Sequence, residues 1–220
     1  METLYLLARG PLCWATAIIF VLAMGWKLSK AWSEAKAKDG SSVAYLSWKF
    51  GLRSIFNWAI PYNALGWKEN PLICAATFCL HLSLLLLVLF ADGHTVLWEY
   101  TFGLRIWALS PMLSDILSVV ALTSLGVLAW RRIAVPQVKF VTGPADWLAL
   151  ILVTVPVLTG FLSGFLGGTS ALTLTTLHIL TAEILIVLIP FTRLSHAVFI
   201  FFTRAYIGSE FGGVRHCRDW

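Results

Sequence analysis

The stretch LICAATFCLHLSLLLLVLFA, Leu72–Ala91, runs for 20 residues without a formally charged side chain. A helix rises about 1.5 Å per residue, so roughly 20 residues span a hydrocarbon core of about 30 Å. Four other segments are also predominantly apolar: Gly10–Leu28, Pro111–Trp130, Ala145–Phe165 and Leu172–Phe202. The last is long enough to tilt or to project from the membrane. Backbone groups in lipid must bond internally, and none of the five shows the alternation of a barrel strand, so all five are expected to be helices.

The rest of the composition agrees. Of 220 residues, 59% are hydrophobic and 12% charged, about half the charge of an ordinary water-soluble domain. No soluble domain of useful size and no internal repeat is visible, and the economical reading is one membrane-embedded domain over 1–220. Residues Met1–Arg9 lack the basic flank of a cleavable signal peptide, so the first helix is expected to stay in the mature protein.

A formal charge of +5 does not point to nucleic acid, because the basic residues are sorted by loop. Lys27, Lys30, Lys36, Lys38, Lys49, Arg53 and Lys68 lie between helices one and two. Arg131, Arg132 and Lys139 lie between three and four, and Arg204, Arg215 and Arg218 follow five. Only Arg9 and Arg105 fall on the other side. This positive-inside bias places the amino terminus outside and the carboxyl terminus in the cytoplasm, and an odd helix count agrees.

Between helices one and two, Lys30–Gly40 reads as a polar loop, whereas Leu52, Ile55, Phe56, Ala59 and Ile60 follow helical spacing, with Lys49, Arg53 and Asn57 on the other face. This predicts an amphipathic helix, ended by Pro61, that lies in the cytoplasmic interface or forms a contact surface for a partner subunit; the two are compatible. The outer segment Asp92–Ser110 carries Trp98, Tyr100 and Trp107 at headgroup level, and the short Gly167–Ser170 turn makes helices four and five antiparallel neighbours. Cys13, Cys74, Cys79 and Cys217 form no CxxCH or paired CxxC motif and are assigned to packing.

The histidines carry the chemistry. His81, His94, His178 and His196 sit at or near membrane depth, where an unpartnered polar side chain costs several kcal/mol, while His216 lies in a polar tail and is expected to be solvated. On helix five, His178 and His196 are 18 residues apart, five full turns, and so are expected to face the same way, one toward each membrane surface. On helix two, His94 lies 13 residues beyond His81, which turns it roughly 140° away on an ideal helix. A bend at Gly93 would re-aim it. Depth pairs His81 with His196 and His94 with His178, and two imidazoles facing each other at one level can ligate a haem iron from both sides. A lone intramembrane histidine more often bonds a neighbouring helix, but four at paired depths favour ligation; zinc fits less well, since its ligands must converge.

The segment LHILTAEILIVLIPFTRLSH, Leu177–His196, resembles the last helix of the membrane cytochrome b of respiratory nitrate reductase, its gamma subunit. WRRIAVPQVKFVTGPADWLALILV, Trp130–Val153, resembles the basic loop and Gly-Ala-Asp entry to helix four of the same superfamily. The chain departs from it at helix two, where nitrate reductase subunits space the histidines by ten. LFADGHTVLW, Leu89–Trp98, and GPLCW, Gly10–Trp14, are similar instead to cytochrome b subunits of the Hmc and Tmc transmembrane complexes of sulfate reducers.

The resemblance covers about two-thirds of the chain. It implies two haems b, held by His81/His196 and His94/His178, in the plasma (inner) membrane of a bacterium or archaeon. Implied partners are a cytoplasmic iron-sulfur subunit and a periplasmic multihaem cytochrome c, with menaquinone as a substrate. The expected role is electron transfer within an oxidoreductase complex, with quinone oxidoreductase activity left open. Arg193 would neutralise haem propionates or snorkel to headgroups. Glu183 would relay protons to a quinone or make a structural hydrogen bond, and Arg105 lies near the outer quinone side without matching the family's basic residue. The competing reading is a haem-free membrane anchor that docks soluble redox subunits.

Overall fold

The computed structural model describes residues 1–38, 40, 44–166 and 169–219. Among them there are helices and turns but no strand. We number the helices α1 (Glu2–Lys38, with a π-helical turn at Ala8–Leu12), α2 (Trp48–Ala59), α3 (Leu65–Glu69), α4 (Pro71–Phe90), α5 (Asp92–Phe102), α6 (Pro111–Ala134), α7 (Pro136–Val141), α8 (Pro144–Phe165), α9 (Thr169–Leu188) and α10 (His196–Ile207). Five helices, α1, α4, α6, α8 and α9 with the turn that follows it, are long and apolar enough to cross a membrane. The protein is a multi-pass membrane protein.

Three boundaries differ from the sequence-based expectation. Helix α1 continues through Lys38, because SEAKAK is made of good helix formers and Lys30 reaches Glu34 one turn on, at 3.9 Å. The segment after Asp92 is helical as far as Phe102, where Gly103 closes the helix in the left-handed conformation at φ 68°. The fifth span is not one helix to Phe202: it breaks after Leu188 into two 3₁₀ turns, Ile189–Phe191 and Arg193–Ser195, before α10 begins at His196. Pro190, which has no N–H to continue the ladder, lies in the first of these turns. Gly167 and Gly168 of the predicted outer turn, and Asp39, Ser41, Ser42 and Val43 of the first connection, lie outside the described residues.

The chain divides into two compact units, Met1–Trp14 with Ala75–Leu185 and Ala15–Cys74 with Ile186–Trp220. In the first, Leu80 of α4, Ala121 and Leu125 of α6 form a core, against which Leu84, Leu128, Leu150, Val153 and Val157 pack. Arg132, in the last turn of α6, pairs with Asp146 at 3.1 Å, and Asp146 also accepts the N–H of Gly143 at the start of α8. Asp146 thus caps α8 and joins two successive spans.

In the second unit α2 packs against α10 and the π-helical turn Gly208–Val214. The contact is made of small residues. A Cβ on Gly51 would lie 3.1 Å from that of Ala205, and one on Gly208 would collide with the Phe50 carbonyl. Such positions let helix backbones approach closely where no hydrophobic drive separates lipid from protein. Asp219, its side chain fully enclosed, is held by Arg53 and Arg204 at 3.1 Å each, and Arg204 also donates to Ser54 at 2.7 Å. Burial pushes the Arg204 guanidinium below its usual range, and the Asp219 carboxylate opposes that shift. Arg204 is therefore a structural cation rather than part of a solvated tail, whereas His216 is exposed, as expected.

Helix α2 is oriented with this small and polar side inward. Trp48, Leu52, Phe56 and Ile60 point away from the unit, and Trp48 is 86% exposed. The same inversion holds along the spans. Thr16, Ser83, Ser118, Ser124, Thr159 and Thr176 are buried, while Val21, Leu22, Leu82, Leu85 and Ile151 are exposed. So much outward apolar surface is the signature of a chain whose solvent is lipid.

Candidate histidine site

Two sequence-predicted residues come together in the first unit. His94 and His178 face each other with ring centres 5.8 Å apart and planes 16° from parallel. His178 comes from the interior of α9, and His94 is the third residue of α5. What brings His94 there is a break between α4 and α5, at Ala91 rather than at Gly93. Ala91 is extended, at φ −61° and ψ 141°, so the helix restarts in a new direction at Asp92. The Phe90 carbonyl, which continuing helix would have used, accepts the N–H of Leu109 at 2.8 Å. The ideal-helix rotation between His81 and His94 does not apply across this break.

Each ring is fixed by its second nitrogen. His94 Nδ1 donates to the Leu87 carbonyl at 2.8 Å, and His178 Nδ1 donates to the Pro156 carbonyl of α8 at 2.8 Å. A carbonyl can only accept, so Nδ1 carries the hydrogen and Nε2 keeps its lone pair. This is the arrangement of metal-bound histidine, in which the outer N–H is anchored to protein and sets the tautomer. A Cβ on Gly160 would lie 3.0 Å from the His178 ring, so only glycine leaves the imidazole its present place.

The other two histidines share the tautomer. His81, inside α4, donates from Nδ1 to the Thr77 carbonyl at 2.8 Å, and His196, at the start of α10, donates to the Arg193 carbonyl at 2.9 Å. His81 belongs to the first unit and His196 to the second. Both are exposed on the chain, as is Arg193, whose backbone thus orients His196. His178 and His196 do not lie on one continuous helix, so the five-turn argument for a shared face does not hold.

Glu183, five residues after His178 on α9, is 6% exposed, and neither carboxyl oxygen has a hydrogen-bond partner among the described residues. The step of five turns it roughly 140° from His178, onto a different side of the helix. Cys13 of α1 lies within its electrostatic reach. Arg105 is exposed in the connection after α5. Of the cysteines, Cys74 is buried as a packing residue, but Cys79 and Cys217 are exposed, so the packing assignment does not extend to them.

Sequence reasoning missed Pro156 and Gly160, which hold and accommodate the His178 ring. The available signal was a proline and a glycine one turn apart within TVPVLTG, Thr154–Gly160.

Among the described residues no three or more His, Cys, Asp or Glu side chains gather to hold a bare metal ion. A facing pair of imidazoles instead suits an ion whose other ligands come from a macrocycle.

No family model matches the chain, and no solved structure matches it significantly. A protein of Nitratidesulfovibrio vulgaris strain Hildenborough, described simply as "Protein", is 30% identical over 219 residues, spanning 94% of this chain and 93% of its own length. The chain belongs to the same family as that protein of Nitratidesulfovibrio vulgaris.

Proposed function

We propose that the protein is a membrane cytochrome b, an electron-transfer subunit of a respiratory complex that holds two b-type haems. The observation that supports this reading is the His94–His178 pair: nearly parallel rings 5.8 Å apart, with Nδ1 of each committed to a carbonyl, so that Nε2 of each keeps its lone pair. His81 and His196, which share that tautomer, are the proposed second pair by their depth in the sequence. Bound haem iron supplies reversible one-electron chemistry; the chain contributes ligands, their orientation and a low-polarity surround that together set the potential.

In this reading the amino terminus is outside and the carboxyl terminus in the cytoplasm of a bacterial or archaeal plasma membrane, by the distribution of basic residues. Helix α2 lies in the inner interface with Trp48, Leu52 and Phe56 in lipid. Electrons pass between a periplasmic cytochrome c or the menaquinone pool and a cytoplasmic iron-sulfur subunit. Arg193 supplies positive charge beside the inner pair for haem propionates. Glu183, enclosed and without a hydrogen-bond partner, is the candidate proton donor or acceptor for quinone chemistry.

A reduced-minus-oxidised spectrum of the purified protein, with haem quantified per chain, tests the proposal. Two haems with b-type bands are expected. Absence of b-type absorbance, or unchanged electron transfer after His178→Ala, would leave a haem-free anchor. Glu183→Gln is expected to slow quinol oxidation while leaving the haem spectrum intact.

A further inference from the structure

The break after Leu188 exposes three successive carbonyls, each of which finds a donor. Leu188 accepts the Thr192 hydroxyl at 2.8 Å, Ile189 accepts the Thr192 N–H at 3.4 Å, and Pro190 accepts the Lys27 ammonium at 2.6 Å. Lys27 also donates to Ser195 Oγ at 3.0 Å and lies 5.6 Å from the ring centre of Phe199. One cation from α1 thus bridges Pro190 in the first 3₁₀ turn and Ser195 in the second, the residue joined to His196. Helix α1 runs on for eleven residues past Lys27, to Lys38, yet the ammonium turns to this break instead of following the helix toward its end. A partly buried cation is retained at such a place when it answers a specific carbonyl.

We propose that Lys27 is a positioning residue for His196, clamping the two 3₁₀ turns that aim its imidazole. The role rests on the reading of His196 as a haem ligand. The backbone bonds within the break are long: Thr192 N–H to Ile189 at 3.4 Å, Ser195 N–H to Thr192 at 3.3 Å, and Leu194 N–H to the Thr192 hydroxyl at 3.3 Å. They are weak by themselves, and a charge-assisted bond across them is the strongest tie in the segment.

The test uses the full-length protein with Lys27→Met, Lys27→Gln and Lys27→Arg, and two independent readouts. Amide hydrogen exchange at Thr192, Leu194 and Ser195 is expected to accelerate about tenfold in Lys27→Met, corresponding to loss of about 1.4 kcal/mol, with Thr95 and Leu109 unchanged. Electron paramagnetic resonance is expected to show one of the two low-spin haem signals shifted or converted to high spin, with Lys27→Arg restoring it. Lys27→Gln, which keeps a donor, serves if the methionine variant does not fold, and is expected to fall between. Unchanged exchange together with two native low-spin signals in Lys27→Met overturns the proposal. Faster exchange with both haem signals native overturns the positioning role and leaves only a structural clamp. A wild-type protein without haem overturns the functional reading and the positioning role together, while the exchange result still reports on the clamp.

Discussion

The two interruptions, at Ala91 and at Pro190, deliver the same product by different means. Each contains one extended residue, Ala91 at ψ 141° and Thr192 at ψ −178°, and each places a histidine in the first turn of the next helix. His94 follows the first break and His196 the second, whereas His81 and His178 sit inside continuous helices. Each proposed haem pair therefore combines one ring on a continuous helix with one ring re-aimed by a break. The break at Ala91 needs no proline, because the Leu109 N–H takes over the Phe90 carbonyl; the one at Pro190 contains a proline and recruits a hydroxyl and an ammonium. A span can be interrupted wherever its released carbonyls are answered, and the sequence cost of the answer differs.

The largest expected effect comes from removing a ring. His178→Ala and His94→Ala are each expected to lower bound haem by about half, since one axial pair is lost and the other remains. Pyridine haemochrome per chain measures this, and unequal losses would show that the ring on the continuous helix and the ring after the break contribute differently.

Gly160→Ala comes next. Its Cβ forces the His178 ring to shift, with a cost of about 1–3 kcal/mol from overpacking, read as weaker haem retention and a displaced midpoint potential. Thr192→Val removes the hydroxyl that serves both the Leu188 carbonyl and the Leu194 N–H, at a cost of about 1 kcal/mol seen in thermal unfolding in detergent. Pro190→Ala is expected to have the smallest effect, a few tenths of a kcal/mol up to about 1, because the carbonyl partners stay in place. A larger effect there would mean that the proline, not its partners, maintains the interruption.

The five spans were legible because hydrophobic length is a summed property, insensitive to any one residue. Breaks are not of that kind. The motif LIPFTRLSH, Leu188–His196, announces its proline, but whether a proline kinks a helix or ends it depends on donors from elsewhere, here Lys27 in α1. The pairing of His94 with His178 was reached by depth, and the structure places the rings together; the rotation argument against His94 failed because it assumed an unbroken helix. The loop expected at Lys30–Gly40 proved helical through Lys38, since polarity had been read as irregularity where the residues are good helix formers. Gly160 escaped notice because a glycine's role as empty space is defined by the side chain it faces.

The inward placement of Thr and Ser, with Leu, Ile and Val outward, reverses the usual hierarchy of tolerance. An enclosed serine such as Ser54, Ser83 or Ser209 has little room for an added methyl group, whereas exchanging one exposed leucine for another aliphatic residue changes little inside the chain. A matrix of permitted exchanges drawn from water-soluble proteins would therefore rank the positions of this chain nearly upside down.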